Sequence, residues 1–235
     1  MKHAQKGFGL IEMLISLVIG LVLLLGVSGI LISMTRTSDL RQKMADVQGG
    51  QRMAMVLLGN SLRYAGAFPY SASSTPATIF PAAGAFGVGQ SIVGTGANAN
   101  VDTVSLRFVA SATQTASQGC SADLVAGISY INVFSVTDGY LTCVESVTTA
   151  GGVAQKTVKL IPGLSGMDIL YGVDFTGGGS VTQYLTASEI STTPNLWDNV
   201  KTAKVTLIFI NPLAKEKGQP ATVSVTQTIP HAIGL

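Results

Sequence analysis

The chain has 235 residues, of which 47% are hydrophobic and only 11% charged, and its formal net charge is +2 at pH 7. This length suits one domain with an appendage, and the absence of a basic stripe argues against nucleic-acid binding, which requires clustered lysines and arginines. The two cysteines are too few for a disulfide scaffold and are not spaced like zinc ligands, so we predict no metal site and no cofactor site.

The N-terminal segment is a short basic stub followed by a long apolar run. Lys2 and Lys6 precede Gly7, and residues 13–35 include no charged side chain. A run of this length crosses the apolar core of a bilayer, about 30 Å thick, as a helix. Glu12 is unusual, because a carboxylate in a membrane helix is costly and requires a partner. An ordinary secretory signal has no acid in its apolar region.

The helix is predicted to continue beyond the apolar run. Apolar side chains recur at spacings of three and four, or sums of these, which places them on one helix face. They are Leu40, Met44, Val47, Met55, Leu58 and Leu62. We expect one helix, roughly 80 Å long at 1.5 Å per residue, with a transmembrane half over 8–35 and an amphipathic half over 36–64. Three glycines in the apolar half are explained equally well by close helix packing or by local melting.

Residues 65–235 are predicted to form a β-rich head. Residues 65–102, rich in Gly, Ala, Ser and Pro, are interpreted as an irregular connection. Segments rich in β-branched and aromatic residues follow and predict strands. These are 103–110, 128–136, 140–147, 157–161, 167–172, 200–210 and 221–229. Asp138 and Gly139 are typical of a hairpin turn. Consecutive strands after one long helix predict an α+β subunit, in which an antiparallel sheet packs on the amphipathic half of the helix.

Catalysis has little support in the sequence. His231 is the only histidine beyond residue 3, so no Ser/His/Asp or Cys/His arrangement is indicated, and His231 is interpreted as a surface residue. Asp168 and Asp174 are not part of a calcium loop with alternating oxygen ligands, and are interpreted as solvated turn or strand-edge residues. Trp197 is expected to pack in the core. The chain is therefore not predicted to be an enzyme.

The segment Lys6-Gly7-Phe8-Gly9-Leu10-Ile11-Glu12 resembles the class III signal of type IV prepilins and type II secretion pseudopilins. The resemblance implies that prepilin peptidase cleaves between Gly7 and Phe8, removes residues 1–7 as a leader and N-methylates Phe8. Cleavage leaves an ammonium group on Phe8 of each subunit. In a filament, we expect this group to lie within reach of Glu12 of the neighbouring subunit. Its attraction to Glu12 is strong in an apolar environment of low dielectric, so we expect Glu12 to set the register of assembly.

The head resembles the PilW family of minor type IV pilins. The similar blocks are 102–108, 132–134, 139–143, 161–174 and 197–207. The resemblance implies a type IV pilin-like fold and a structural role in the complex that primes pilus assembly and caps the tip, in support of adhesion or twitching motility. The implied partners are prepilin peptidase, other minor pilins, the major pilin and a tip adhesin. The implied location is the inner membrane, with the head in the periplasm, and then the pilus tip.

Two other functions are open at this stage. A minor pseudopilin of a type II secretion system has a closely similar signal and fold, and the genes flanking this one would separate the two. An envelope binding protein or hydrolase with a pilin-like anchor belongs to a different class. Measurable turnover of glycans or esters by the head would favour it.

Cys120 and Cys143 are predicted to form one disulfide. Both lie on the translocated side of the predicted membrane helix, and no third cysteine competes for either thiol. The periplasm is an oxidising compartment in which such a bridge persists. Two buried free thiols are the alternative, if the pair is kept reduced.

We expect mature protein from the membrane to begin at Phe8. Gly7 is the small residue that a prepilin peptidase requires, and the basic stub holds it at the cytoplasmic face of the membrane. N-terminal sequencing or intact-mass measurement checks this. A mature chain that begins beyond Thr35, or that retains Met1 in a strain with active peptidase, would contradict the class of protein itself.

Overall fold

The computed structural model describes residues 9–97, 99–111, 120, 124–149, 152–216 and 218–231. The helices are α1 (Leu10–Tyr64), α2 (Pro76–Ile79) and α3 (Ala187–Ser191), and a 3₁₀ turn covers Leu196–Asn199. The strands are β1 (Ile92–Thr95), β2 (Thr103–Val109), β3 (Ser129–Thr137), β4 (Tyr140–Thr149), β5 (Gly152–Pro162), β6 (Leu164–Val173), β7 (Gln183–Leu185), β8 (Val200–Ile210) and β9 (Thr222–Pro230). The chain divides into two units, Met1–Ala45 and Asp46–Leu235. These elements confirm the α+β class.

The first unit contains the apolar part of α1. From Leu10 to Met34, every large hydrophobic side chain that the structure describes is at least 54% exposed. The most apolar window of this helix has a mean hydropathy of 2.8, and the helix is long enough to cross a membrane. This surface is far larger than a soluble monomer normally leaves in contact with water, so it requires lipid or other helices around it.

The second unit begins with the end of α1. The helix buries Ala54, Met55, Leu58, Gly59 and Leu62 in the core of the head. Their spacing of three and four residues places them on one face, as the apolar pattern predicted. Full burial of each large apolar side chain contributes about 1.5 to 3 kcal/mol, so this face fixes the last turns of α1 to the strands.

The head contains two antiparallel sheets where the sequence indicated one. The first has the strand order β1-β2-β3-β4-β5 and the second β7-β6-β8-β9. The chain passes between them at Gly163, whose φ of 86° lies in the left-handed region that favours glycine. The main-chain N–H groups of Gly163 and Leu164 both donate to the carbonyl of Gly139, at 2.8 and 3.1 Å. This corner lies between β5 and β6 with no intervening loop, so the change of sheet cannot be recognised from the sequence pattern of successive strands.

The hairpin between β3 and β4 has the predicted turn. Thr137 lies opposite Tyr140, and the two residues between them, Asp138 and Gly139, have φ values of 53° and 78°. Positive φ at both central positions is the requirement of a type I′ turn, whose twist matches that of the flanking strands. The hairpin is therefore confirmed at the predicted residues.

The prediction of an irregular connection over 65–102 was wrong in part. The segment contains α2 and β1, and it buries Phe80 and Ile92. Thr75 caps α2 through its side chain, which accepts from the N–H of Thr78. Strand β1 pairs with β2 over four residues. Four residues are too few to stand out as a strand pattern, and β1 is stabilised by packing that is distant in the sequence.

A disulfide joins Cys120 to Cys143, with the two Cα atoms 6.0 Å apart. Cys143 is fully buried on β4, and Cys120 lies in the loop between β2 and β3. The N–H of Cys120 also donates to Oε2 of Glu145, at 3.0 Å. A covalent bond and a charge-assisted hydrogen bond thus attach Cys120 to β4 at two positions that are two residues apart.

Loss of this disulfide should lower the stability of the head. The chain-entropy model gives about 3 kcal/mol for a loop of this size, so Cys120→Ala should reduce the free energy of unfolding by about that amount. Denaturant unfolding of the oxidised wild type and the variant measures the difference. The control is Cys120→Ala under dithiothreitol, which should not be destabilised further. Two alkylatable cysteines in unfolded, unreduced wild type would contradict the bridge.

Candidate functional site

Glu12 lies in the first turn of α1 and is exposed. Its Oε2 accepts a hydrogen bond from the N–H of Gly9, at 3.4 Å, and its own N–H donates to the carbonyl of Gly9, at 3.0 Å. The carboxylate therefore lies at the positive end of the helix dipole, where a negative charge is favoured. Gly7 and Phe8, the predicted cleavage and methylation positions, lie outside the described residues.

Two serine hydroxyls in the apolar part of α1 bond to main-chain carbonyls of the same helix. The hydroxyl of Ser16 donates to the carbonyl of Glu12 at 2.8 Å, and that of Ser28 to the carbonyl of Leu24 at 2.7 Å. Such back-bonding removes the cost of placing a hydroxyl in an apolar environment. Glu12 is the only charged residue from Leu10 to Thr35, so it is the one group in this stretch that an apolar partner cannot satisfy.

The glycines of this stretch have no packing role within the described chain. A Cβ added at Gly20, Gly26 or Gly29 would meet no atom within 4 Å. Each glycine weakens a helix by up to about 1 kcal/mol relative to alanine. Their cost is therefore not offset by any contact in this chain, which is consistent with both explanations given above, close packing by other helices and local melting.

Arg107 of β2 holds the segment before β1 in place. Its guanidinium is buried between the rings of Phe80 and Phe86, with its carbon 5.0 and 4.7 Å from the ring centroids. The guanidinium donates four hydrogen bonds to main-chain carbonyls of that segment. The acceptors are Phe80, Pro81, Gly87 and Gln90. Burial lowers the pKa of Arg107 to about 10, so the side chain remains charged at neutral pH and these donors stay engaged.

Tyr171 of β6 is fully buried at the centre of the head. Its ring meets that of Trp197 edge to face, with the centroids 4.8 Å apart. Its hydroxyl donates to the carbonyl of Thr103 at 3.5 Å, and burial, with the nearby charge of Asp102, raises the pKa of Tyr171. Gly94 is required beside it, because a Cβ there would lie only 2.0 Å from the Tyr171 oxygen. Trp197 is in the core, as predicted.

Asp102 is a second buried link between the sheets. Its Oδ2 accepts from the N–H of Ile169 at 2.9 Å, and its own N–H donates to the carbonyl of Met167 at 3.0 Å. Gly96 approaches so closely that an added Cβ would lie 1.9 Å from Oδ1 of Asp102, and its φ of 117° also requires glycine. The turn after β1 is thus attached to β6 of the other sheet through one carboxylate.

Asp174 is not the solvated residue that the sequence suggested, because it is only 1% exposed. Its carboxylate accepts four hydrogen bonds from the loop that follows β6, at 2.6–2.9 Å. The donors are the N–H groups of Thr176, Gly177 and Gly179 and the hydroxyl of Thr176. Burial alone raises the pKa of Asp174, but these bonds outweigh it and hold the pKa below its usual value. The carboxylate organises this loop.

His231 is also not the surface residue that the sequence suggested. It is only 6% exposed and lies at the end of β9. Its Nδ1 is 3.4 Å from the carbonyl of Leu62 in the last turns of α1, and its Nε2 is 3.1 Å from Oγ of Ser91 before β1. Because a carbonyl only accepts, Nδ1 is the donor and Nε2 the acceptor. The neutral ring therefore joins three elements that are distant in the sequence.

A pocket of about 300 Å³ lies beside this histidine. Its lining includes Ser91 and His231 together with Trp197 and Asp198. The Ser91–His231 bond resembles part of a hydrolytic dyad, but both ring nitrogens hold structural elements and Ser91 is 8% exposed. No group of three or more His, Cys, Asp or Glu side chains that could hold a metal occurs in the part of the chain that the structure describes.

Comparisons with known proteins match both ends of the chain. Residues 2–28 match the family model of the prokaryotic N-terminal methylation motif, and residues 128–232 match that of PilW, the type IV pilus-assembly protein W. No curated protein matches the chain. Among solved structures, a type IV-like pilin from Thermus thermophilus is similar, with a TM-score of 0.40 and 12% identity over 83% of this chain and 96% of that one.

The two family matches divide the functional residues between them. The first covers the methylation signal with Glu12, and the second covers Tyr171, Asp174, Trp197 and His231. Those four head residues link strands, loops and α1 to one another through the contacts described above.

His231 should make the stability of the head depend on pH. Burial, aided by the charge of Lys201 and opposed by the bond to Leu62, lowers the pKa of His231 to about 4. The unfolded chain, with a pKa near 6.5, then binds more protons than the folded one between these values. Stability from this group is complete above about pH 7 and falls by roughly 3 kcal/mol as the pH decreases from about 6.5 to about 4.

Denaturant unfolding of the full chain in detergent at several pH values measures this effect. His231→Gln is the control, since its side chain keeps hydrogen-bonding groups and does not titrate in this window. The wild-type curve should be steeper than the variant curve between about pH 6.5 and 4. Parallel curves would show that the histidine is not held in its neutral form.

Proposed function

We propose that the chain is a minor type IV pilin of the PilW family and a structural subunit of the complex that primes pilus assembly and caps the pilus tip. In that position it would support adhesion or motility. Its partners would be other minor pilins, the major pilin and a tip adhesin. The prepilin motif implies earlier processing by the peptidase and assembly with other pilins.

The observation that carries this proposal is the apolar surface of α1. Large hydrophobic side chains from Leu10 to Met34 are exposed all around the helix, and Glu12 is the only charge among them. Lipid covers such a surface before assembly, and the helices of other pilins can cover it afterwards. In the second environment the amino terminus of a neighbouring subunit would supply an opposite charge to Glu12. The attraction is strong there because the surroundings are apolar.

The disulfide supports an orientation in the membrane. Basic residues lie on both sides of the apolar run, Lys2 and Lys6 in front of it and Arg36, Arg41 and Lys43 behind it, so the charges alone favour neither side. A head in the periplasm would lie where a disulfide such as Cys120–Cys143 is stable. The anchor, the bridge and the orientation are consistent with one another.

The buried polar groups of the head support a structural role. The Arg107 guanidinium donates to four main-chain carbonyls, and the Asp174 carboxylate accepts from the loop next to it. His231 bonds to Leu62 and Ser91. Groups that perform acid–base or nucleophilic chemistry must present an atom to a substrate, whereas these groups direct their atoms at the protein itself. We therefore propose that the chain acts through assembly and not through catalysis.

Glu12→Gln should impair assembly while leaving cleavage largely intact. The amide keeps the shape of the side chain but offers no charge to a neighbour's ammonium group. We expect the processed variant in the membrane, with reduced recovery of other pilins when it is purified from cells. Asp39→Asn is the matched control, because Asp39 is an exposed carboxylate on the same helix that pairs with Lys43 at 2.7 Å.

The mass of the N-terminal peptide separates two roles for Glu12. An unprocessed or unmethylated Glu12→Gln variant would mean that the carboxylate serves the peptidase. A processed and methylated variant that recovers other pilins as well as wild type does would contradict the register role. Normal behaviour of Asp39→Asn shows that the effect belongs to the position and not to the loss of any carboxylate from α1.

A further inference from the structure

Strand β9 forms one edge of the second sheet. The strand order is β7-β6-β8-β9, so β9 pairs with β8 on one side and with no described strand on the other. It has nine residues and follows β8 in an unbroken antiparallel register from Thr222 to Pro230. An edge of this length presents a row of main-chain groups to any extended segment that approaches it.

The hydrogen bonds at the two ends of this pairing show which groups face outward. The N–H of His231 donates to the carbonyl of Lys201, and the N–H of Asn211 to the carbonyl of Ala221. Bonded pairs alternate along an antiparallel ladder, so odd-numbered residues of β9 bond to β8. The even-numbered ones direct their N–H and C=O groups toward the open side. They are Thr222, Ser224, Thr226 and Thr228, followed by Pro230, whose missing N–H costs the ladder nothing.

Apart from Pro230 at its end, this edge lacks the charged side chains and bulges that normally protect a strand from pairing. The other long edge, β5, contains Lys156 and Lys159 and a register shift opposite Leu141 and Thr142. Lysines and bulges of this kind oppose the addition of a strand. Strand β9 has no charged residue and no register shift. The contrast between two edges of one head singles out β9 as the edge that is open to pairing.

A groove of about 390 Å³ lies between β9 and α1. Its lining is Gln48, Gln51, Arg52, Met55 and Val56 from α1, and Val225, Thr226 and Gln227 from β9. Met55 is 6% exposed, whereas Arg52 is exposed and forms no ion pair with any residue that the structure describes. The lining includes no acidic residue. The groove thus offers apolar contacts, amides and one guanidinium available for an anion.

We propose that the open edge of β9 pairs with an extended segment of another pilin subunit, which places a carboxylate beside Arg52. This inference rests on the proposed role in a pilin complex. Side chains alternate along an added strand, so every second one enters the groove against Met55 and Val225. A carboxylate is the matching group for the guanidinium, with which it can form two parallel hydrogen bonds.

A second copy of this chain fits the edge less well. Pairing of β9 with another β9 would place two grooves on the same face of the joined sheet, each with Arg52 and with no acidic lining residue. Like charges at such a seam oppose association. A different subunit with an acidic side chain in its extended segment has no such conflict.

Photo-crosslinking in piliated cells tests which molecule meets the edge. A benzoylphenylalanine probe replaces Ser224 in the full chain, and the matched control has the same probe at Val153, which is 65% exposed on β5. We expect the probe at 224 to crosslink to another pilin and the probe at 153 not to. A probe at 224 that reaches only a second copy of this chain, or reaches nothing in assembled complexes, would overturn the proposal, as would equal crosslinking at both positions.

Two substitutions test the chemistry of the contact. Ser224→Pro removes an N–H that faces the open side, whereas Val225→Pro removes one that bonds to β8 and should destabilise the head. Arg52→Glu reverses the charge in the groove, and Lys204→Glu is its control on the adjacent strand β8. We expect Ser224→Pro and Arg52→Glu to reduce the recovery of partner pilins about tenfold, with the melting temperature of the head unchanged for Arg52→Glu.

The outcomes separate this inference from the proposed function. If wild type recovers other pilins and both Ser224→Pro and Arg52→Glu recover them equally well, the edge is not the contact and the pilin role stands. If wild type recovers no pilin from piliated cells, the proposed function fails and the inference fails with it. An effect of Lys204→Glu as large as that of Arg52→Glu would show that general charge, and not the groove, determines recovery.

Discussion

One helix must satisfy two environments, and the rest of the structure follows from that constraint. The first part of α1 exposes an apolar surface around its whole circumference, from Leu10 to Met34. The last part buries a single stripe that includes Leu58 and Leu62 in the head. The first surface requires partners outside the chain, because burial of apolar area is the main stabilising contribution available to it. The stripe, in contrast, is buried within the chain itself, where the strands of the head pack on it.

Buried polar groups connect the elements of the head around its apolar core. Asp102 attaches the turn after β1 to β6, and Arg107 attaches the segment that includes α2 to β2. His231 joins the end of β9 to α1 and to Ser91. Buried polar groups are costly unless they are fully bonded. Their use at the joints therefore specifies one arrangement of the two sheets.

Local patterns were enough to predict much of this molecule. The spacing of Met55, Leu58 and Leu62 predicted the buried face of α1, since helical periodicity is a property of neighbouring residues. Asp138-Gly139 predicted a turn, because few residues tolerate positive φ at two successive positions. The motif around Gly7 and Glu12 indicated the class of protein, which the family comparisons support. Each of these features is encoded within a few residues of itself.

The tertiary structure decided what depends on residues far apart in the chain. The sequence does not show that His231 meets Leu62 and Ser91, or that Arg107 reaches carbonyls between Phe80 and Gln90. The sequence pattern led to surface positions for His231 and Asp174, because their hydrogen-bond partners could not be identified from the sequence. The division into two sheets likewise depends on a corner at Gly163, and the open edge of β9 on the order of the strands. Periodicity determines which face of an element is apolar, whereas the identity of its neighbours is determined only when the whole chain packs.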